Sequence, residues 1–348
     1  MNRLGYALIG AGKPNIATSC HLPAAMQIPQ WDVVLLMDVD LGVRTYAERC
    51  KVEWTNDFQE VLRRDDVHVV DICSPDWLHA EQVMMALEAG KHVICEKPLA
   101  LSVASARMLA DTAARLDRKL QIVTNYRYQY KWQQIKETIR TGKIGTPKML
   151  RYSLQGRFFP YDAGSFYRKA ESGGQFIHNG VHYMDLIGWL LDSEPETVSG
   201  RTLAHYPGED RMETDNYMIS QIRMRNGSLA VCELNMTMME PEGFPTRERL
   251  SIVGDKGVID FDNAKSSLVS FTGHGLRMQA LTHDDSVAAY TSLFREYAES
   301  IVGASPQAVS ADFSLRIFEA CVGTILSAKT GKTIRLPIGG PDDKVWKA

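Results

Sequence analysis

No apolar run in the 348 residues approaches the roughly 18 that a membrane-spanning helix requires. Basic excess is missing too. The 39 Lys and Arg stand against 42 Asp and Glu, a net charge of -3, which removes the electrostatic case for nucleic acid or an anionic membrane as partner. Cysteine is sparse and unpatterned: the six (Cys20, Cys50, Cys73, Cys95, Cys232, Cys321) form no CxxC pair, so neither a disulfide framework nor a thiolate zinc site is indicated. Cys73 and Cys95 each close an apolar run, where a small buried thiol fits. The first ten residues lack the charged start, apolar stretch and cleavage site of a signal peptide, and a reducing cytoplasm is the expected compartment. Internal repeats and low-complexity tracts are absent as well.

What remains is ordinary globular composition, 45% hydrophobic and 23% charged, in a chain longer than one core usually serves. Two domains are therefore expected. In the first third, Leu4–Ile9, Val33–Met37, Val67–Cys73, His92–Cys95 and Leu120–Val123 read as strands with little polar alternation, as suits parallel strands covered on both faces. Helical patterns lie between them, clearest over Leu78–Ala89, stopped by Gly90, and Ser102–Leu116. Beyond Asn125 the pattern changes. After helices at Trp132–Thr141 and about Gly180–Leu191, long strand-like segments follow: Glu196–Ala204, Asn216–Met224, Ser228–Met238, Arg247–Val253 and Gly257–Phe261, with Asn226-Gly227 and Asp255-Lys256-Gly257 as hairpin turns. Helices at Thr291–Val302 and Phe313–Lys329 close the chain. The expected architecture is α/β: a doubly wound parallel Rossmann sheet over residues 1–124, then over 125–348 an α+β domain with a large open, mainly antiparallel sheet for substrate binding and oligomerisation.

Directly after the first strand come Gly10-Ala11-Gly12, where the first glycine permits a tight turn and the second lets backbone approach a pyrophosphate at a helix N-terminus. A strict GxGxxG register places Asn15 at the third position and fails. Inserting Lys13-Pro14-Asn15 places Ala17 there, small enough for helix–strand packing. By itself this is an ordinary glycine-rich bend. Asp38 ends the second strand, where a carboxylate accepts from ribose hydroxyls, and its distance from the glycines agrees with the insertion. Alone it reads equally as a solvated loop acid. Together the features point to a dinucleotide, with Asn15 and Ile16 completing the cofactor turn.

Val69–Pro98 reads VVDICSPDWLHAEQVMMALEAGKHVICEKP. This strand, Ser-Pro turn, helix, strand and Glu-Lys-Pro ending resembles the glucose-fructose oxidoreductase/inositol dehydrogenase/rhizopine catabolism (Gfo/Idh/MocA) family. Gly10–Gly12, His21, Asn125-Tyr126-Arg127, GGQFIHNGVHYMD at 173–185 and the closing 323–337 helix and strand extend the resemblance over essentially the whole chain. The resemblance implies NAD or NADP on the first domain, with Ser74 and Pro75 lining the nicotinamide, His79 nearby, and Glu96, Lys97 and Asn125 around it. Carboxyl ends of parallel strands are where such sheets bind ligands, which agrees. Lys97 otherwise reads as a surface lysine at a strand end, but Pro98 after it removes a donor and stiffens the turn.

Family members commonly carry Asp four residues before a His beside the substrate; here His178 precedes His182. At i and i+4 both imidazoles share one helix face. Such a pair also suits a metal, but no third ligand and no HExxH pattern accompany it, so none is expected. His178 reads alternatively as cleft wall. It cannot supply an Asp's negative charge, for which Asp185 is a possible substitute, and Asn179 beside the pair is placed to bind a hydroxyl.

The expected function is oxidation of a secondary hydroxyl of a sugar, glycoside or cyclic polyol, or reduction of the matching ketone. Lys97 and His182 handle the proton, either one as base while the other holds the oxygen. Tyr126, Arg127, Arg157, Tyr161 and Arg168 are candidate substrate groups, the last three in an aromatic, polar loop that otherwise reads as plain surface. Asp38 and Asp40 favour NAD over NADP, with Arg44 the countervailing charge. The resemblance implies a homo-oligomer, a dimer or tetramer. Two other readings stay open: a glycoside-cleaving enzyme using transient oxidation, and a nucleotide-bound regulator without chemistry.

Overall fold

Parallel strands need crossover connections long enough to carry a helix, and the first third of the chain supplies them between its short apolar runs. A computed structural model describes residues 3–157, 173–204, 215–238, 246–265, 267–273, 275–280, 286–303, 305–307 and 309–339. Strands β1 (Leu4–Ile9), β2 (Trp31–Met37), β3 (Glu53–Thr55), β4 (Val69–Ile72), β5 (His92–Cys95) and β6 (Leu120–Ile122) pair in the order β3-β2-β1-β4-β5-β6. Every pair is parallel. This is the doubly wound order, with its topological switch between β1 and β4. Helices α1 (Leu22–Ala25), α2 (Gly42–Cys50), α3 (Phe58–Arg63), α4 (Asp76–Glu88) and α5 (Val103–Arg115) fill the crossovers. Side chains start two of them: Asp57 accepts from the Gln59 amide at 2.8 Å, and Ser102 from the Ser105 amide at 3.0 Å.

Downstream, α6 (Tyr130–Arg140), β7 (Pro147–Arg157) and α7 (Gly174–Leu190) precede β8 (Pro195–Leu203), β9 (Tyr217–Met224), β10 (Leu229–Met238), β11 (Arg247–Gly254), β12 (Gly257–Asp262), β13 (Ser267–Thr272) and β14 (Gly275–Ala280). Helices α8 (Ser286–Ile301) and α9 (Ala311–Thr330) and strand β15 (Ile334–Arg335) follow. The second sheet runs β14-β13-β12-β11-β7-β10-β9-β8-β15, antiparallel at every pair except the parallel β10–β7. The expected fold class is what the chain adopts. Alternation along its strands buries Leu150, Tyr152, Leu154, Cys232, Leu250 and Ile252 on one face, while Met149, Leu229, Phe271 and Met278 stay exposed. Among the described residues, β3, β13, β14, α2 and α3 exceed the sequence expectation, while β15 is the closing strand that the resemblance implied. Helix α7 begins at Gly174, six residues before the expected Gly180, so His178 is helical.

Packing divides the chain less simply than a cut after residue 124. One unit comprises Met1–Gln129 with Asp285–Leu315, the other Tyr130–Asp284 with Arg316–Ala348. Aromatic contacts explain why α8 belongs with the first strands: Phe294 lies 5.4 Å from Trp31 and 6.5 Å from Tyr6, and Tyr6 stacks on Trp31 at 5.0 Å. The Tyr297 hydroxyl, also on α8, donates to the carbonyls of Val93 at 2.9 Å and Lys119 at 2.8 Å.

In the second unit α9 lies tight on the sheet because β8 carries Gly200 beneath it. A Cβ there would come within 2.4 Å of the Thr324 carbonyl oxygen, while Ser220 and Thr324 hydroxyls meet at 2.8 Å alongside. Gly200→Ala is therefore expected to destabilise by about 1–3 kcal/mol through overpacking. Thermal unfolding checks this, at roughly 2–4 °C for each kcal/mol. An unchanged midpoint would contradict so close an approach.

Candidate active site

The glycine turn sits at the carboxyl end of β1. Gly10 holds φ +91°, and a Cβ on it would lie 2.5 Å from the Cys73 carbonyl oxygen, so glycine is required on both counts. Asn15 braces the loop, its side-chain amide donating to the Gly10 carbonyl at 2.8 Å. Ala17 is fully buried, in agreement with the inserted register, and Ile16 before it is 40% exposed. Asp38 is no freely solvated acid. One carboxylate oxygen accepts from the Gly12 amide at 2.8 Å and the other from the Asp40 amide at 2.8 Å. Gly12 itself leaves no room for a side chain, since its Cβ would meet the Asp38 carboxyl carbon at 2.6 Å. Asp40 pairs with Lys13 at 3.3 Å, and Arg44 is engaged by Glu48 at 2.9 Å.

Three further turns leave the same edge. After β4, the Ser74 hydroxyl donates to Gln82 on α4 at 2.6 Å, and Pro75 opens that helix. His79, on the first turns of α4, is buried with both ring nitrogens on carbonyls: Nδ1 is 2.7 Å from Pro98 O and Nε2 is 2.8 Å from Ser74 O. It thus ties the Ser-Pro turn to the Glu-Lys-Pro turn. After β6, Asn125 begins a short 3-10 turn with Tyr126 and Arg127. Arg127 is buried with its guanidinium 4.7 Å over the Phe313 ring. Among the described residues, Thr124 Oγ1 and Asn125 Oδ1 are buried without a hydrogen-bond partner, so polar capacity remains at this end for a ligand.

Beneath the Glu-Lys-Pro turn lies a cluster that sequence reasoning did not assemble. His21, fully buried, directs Nδ1 at Asp71 Oδ2 (2.7 Å) and Nε2 at Glu96 Oε1 (3.0 Å). A carboxylate beside each ring nitrogen favours the doubly protonated, cationic ring. Tyr6 donates to Asp71, Tyr290 of α8 donates to Glu96 Oε1 at 3.2 Å, and the Lys97 amide donates to Glu96 Oε2 at 3.1 Å. Burial is the largest single influence on His21 and opposes its charge, yet the attraction and hydrogen bonding of Asp71, with Cys73 adding to them, together hold the imidazole well above its usual pKa. Burial first, then Asp71, pushes the Cys73 thiol up, so it stays neutral 3.2 Å from His21 Nδ1. His21, Asp71 and Cys73 are close enough to suggest a metal site, but donors around one zinc-like ion stand about 3.3 Å apart. The 2.7 Å His21–Asp71 separation is that of a hydrogen bond. The available signal was Asp71, a lone acid in the apolar strand VVDI.

On α7 of the second unit, His178, Asn179 and His182 are half-buried among buried neighbours, so the i, i+4 face is present as expected. The adjacent Tyr183 stacks on Tyr152 at 4.9 Å, and the Tyr152 hydroxyl donates to buried Glu248 at 2.7 Å, which Lys131 meets at 2.7 Å. Arg157 ends β7; Tyr161 and Arg168 lie outside the described residues.

Residues 4–124 match the model of an oxidoreductase family with an NAD-binding Rossmann fold, and residues 132–260 match the GFO/IDH/MocA C-terminal domain. The chain belongs to the GFO/IDH/MocA oxidoreductases. Similar members include an inositol 2-dehydrogenase of Rubrobacter xylanophilus, 26% identical over 325 residues, 88% of this chain and 87% of that one. A D-glucoside 3-dehydrogenase of Escherichia coli is 31% identical over 191 residues, 54% of each chain. A levoglucosan dehydrogenase, solved with NADH and levoglucosan, has the same fold: TM-score 0.85, 20% identity, covering 97% of this chain and 100% of that one. The glycine turn, anchored Asp38 and open polar atoms after β6 fit a GFO/IDH/MocA dinucleotide site.

The buried cation has a pH signature. His21 is near 6.5 when unfolded, about the ordinary value, and raised when folded. Its stabilisation is therefore complete below about pH 6.5 and lost as pH rises through the folded value. Urea midpoints should fall from pH 6 towards pH 9, and Asp71→Asn should flatten that alkaline fall. A wild-type profile already flat over this window would mean the imidazole is neutral.

Proposed function

We propose that this chain oxidises a secondary hydroxyl of a sugar, glycoside or cyclic polyol, or reduces the matching ketone, with NAD as hydride carrier. The observation that carries the reading is the shared carboxyl edge of the first sheet. There the Asp38-anchored glycine turn, the Ser-Pro turn and the lysine-bearing Glu-Lys-Pro turn follow β1, β4 and β5, and His79 ties the last two together. The inositol and glucoside specificities of the similar dehydrogenases support the substrate class.

A bound nicotinamide takes hydride from the carbinol carbon and leaves a carbonyl. In this reading His182 takes the hydroxyl proton, and Lys97 holds the oxygen through its ammonium. His178 tunes His182 from one turn away, and Asn179 accepts or donates to a neighbouring hydroxyl. Ser74 and Pro75 line the ring's place, with Asn125 and Glu96 at its margin. Tyr126, Arg157, Tyr161 and Arg168 remain proposed substrate contacts; for Arg127 its burial favours a supporting part. The apolar residues exposed on the open sheet face, among them Phe271 and Met278, support a homo-oligomer through that face. Incubation with NAD and a panel of polyols, sugars and glycosides tests the reading. NADH should accumulate in proportion to product; turnover without net NADH, or none across the panel, would overturn it.

Cofactor choice is a separate test. A 2′-phosphate would meet Asp38 and Asp40, while Lys13 and Arg44 are already paired to Asp40 and Glu48. NADP should bind at least ~10-fold more weakly than NAD, about 1.4 kcal/mol. Fluorescence titration of the two reduced cofactors decides it, and a tighter NADPH constant would refute the preference.

For the proton chemistry, Lys97→Ala should fold and bind cofactor normally yet lose turnover. His182→Ala should lose ~10²–10⁴ in rate, as for removal of a positioned acid–base group; His178→Ala should lose less. His178→Asp supplies a carboxylate that favours the His182 imidazolium, so the alkaline-favouring limb of its pH–rate profile should move upward. An active His178→Asp enzyme with an unmoved limb would show the two side chains uncoupled.

A further inference from the structure

We infer that His21, Asp71 and Tyr290 are positioning residues for Lys97, acting through the side chain of Glu96. This rests on the role proposed for Lys97 and concerns what holds it in place.

The geometry runs in one direction. Asp71, fully buried on β4, takes one ring proton of His21 at 2.7 Å and is itself steadied by the Tyr6 hydroxyl from β1. With Nδ1 engaged, the imidazole plane has little freedom, and Tyr290 and Phe294 wall it in at ring separations of 4.7 and 5.3 Å. Nε2 then fixes Glu96 Oε1 at 3.0 Å, where the Tyr290 hydroxyl converges at 3.2 Å. Two donors on one oxygen orient the carboxylate, leaving Oε2 to accept from the Lys97 main-chain amide at 3.1 Å. From the other side, His79 Nδ1 lies 2.7 Å from the carbonyl of Pro98. The Lys97 peptide is thereby held before and after its side chain, and that side chain is half-buried while the network below is sealed. The hydrogen bonds of Glu96 link a buried cation to the backbone of the turn.

Such a device matters because misplacing a reacting group by about 1 Å can cost ~10²-fold in rate. A merely structural cluster would affect folding alone. His21→Ala would leave two buried carboxylates facing one another and can fail to fold, so the test uses Tyr290→Phe, which keeps the packed ring and removes one donor, and Asp71→Asn. Three quantities are read in each: NADH affinity by titration, kcat and KM on the best substrate, and the pH dependence of Lys97 acylation by acetic anhydride, followed by peptide mass spectrometry against exposed Lys51 and Lys332. NADH affinity within about twofold of wild type, kcat lowered ~10-fold or more, and a changed Lys97 acylation profile with unchanged controls are expected. Lower melting temperatures with wild-type kcat and wild-type acylation at Lys97 would overturn the inference, as would a fall in kcat with acylation unchanged. Altered acylation without loss of kcat would instead uphold the positioning network and sink the catalytic role of Lys97, so the two readings fail separately.

Discussion

An imidazolium sealed between two carboxylates is the constraint around which the first unit is arranged. Removing ions from water costs several kcal/mol each, and attraction offsets this only when every remaining lone pair and proton finds a partner. Here Tyr6, Cys73, Tyr290 and the Lys97 amide complete the set, contributed by β1, the turn after β4, α8 and the turn after β5. Deleting His21 or one of its two carboxylates strands a buried charge, typically at about 3–5 kcal/mol, while losing a neutral donor costs less. The elements that donate these groups must therefore arrive together, although Tyr6 and Tyr290 are far apart in sequence. This explains why α8 packs with the opening strands: its Tyr290 closes the charge cluster, while Phe294 and Tyr297 close the core beneath it.

The glycine turn has its own dependence on charge. Asp38 takes two main-chain amides, so its carboxylate forms part of the turn while presenting negative charge at the end of β2. The Gly12 amide would otherwise lack a partner; the Asp38 carboxylate would otherwise be mobile. Because Gly12 has no Cβ, the two can approach to hydrogen-bond distance. The insertion of Lys13-Pro14-Asn15 is absorbed locally by Asn15, whose amide returns to Gly10, and by Lys13, which neutralises Asp40.

Much of this was legible in the chain itself. Uniformly apolar runs such as LGYALI and HVIC identify covered parallel strands, and the spacing of His178 and His182 places them on one helix face. Less was legible where neighbours decide. SLVSFT and GLRMQA stand outside the strands expected from the sequence, yet each pairs along its length with the strand before it. The return of α8 to the first unit depends on which aromatic rings it meets, which no local pattern encodes. His79 reads as a residue near the cofactor, but its ring nitrogens both lie on carbonyls of the chain, giving it a bracing part. Asp71 was visible as a misfit in VVDI; its meaning appears only once β1, β4 and β5 set Tyr6, His21 and Glu96 around it.

The two units fix their candidate side chains by different physics. Lys97 depends on a turn whose hydrogen bonds trace back to a buried ion cluster, so its setting is electrostatic and directional. His182 sits on a helix braced in part by shape: Tyr183 beside it stacks on Tyr152, and within the helix Gly180 makes room for the Phe176 ring, which a Cβ would strike at 2.5 Å. Hydrogen-bonded charge tolerates little loss of a partner but accommodates small changes of volume nearby, whereas packed rings respond in the opposite way. A perturbation of charge state that disturbs the lysine's support leaves the helix packing intact, and a packing defect around α7 leaves the buried imidazolium and its carboxylates as they were.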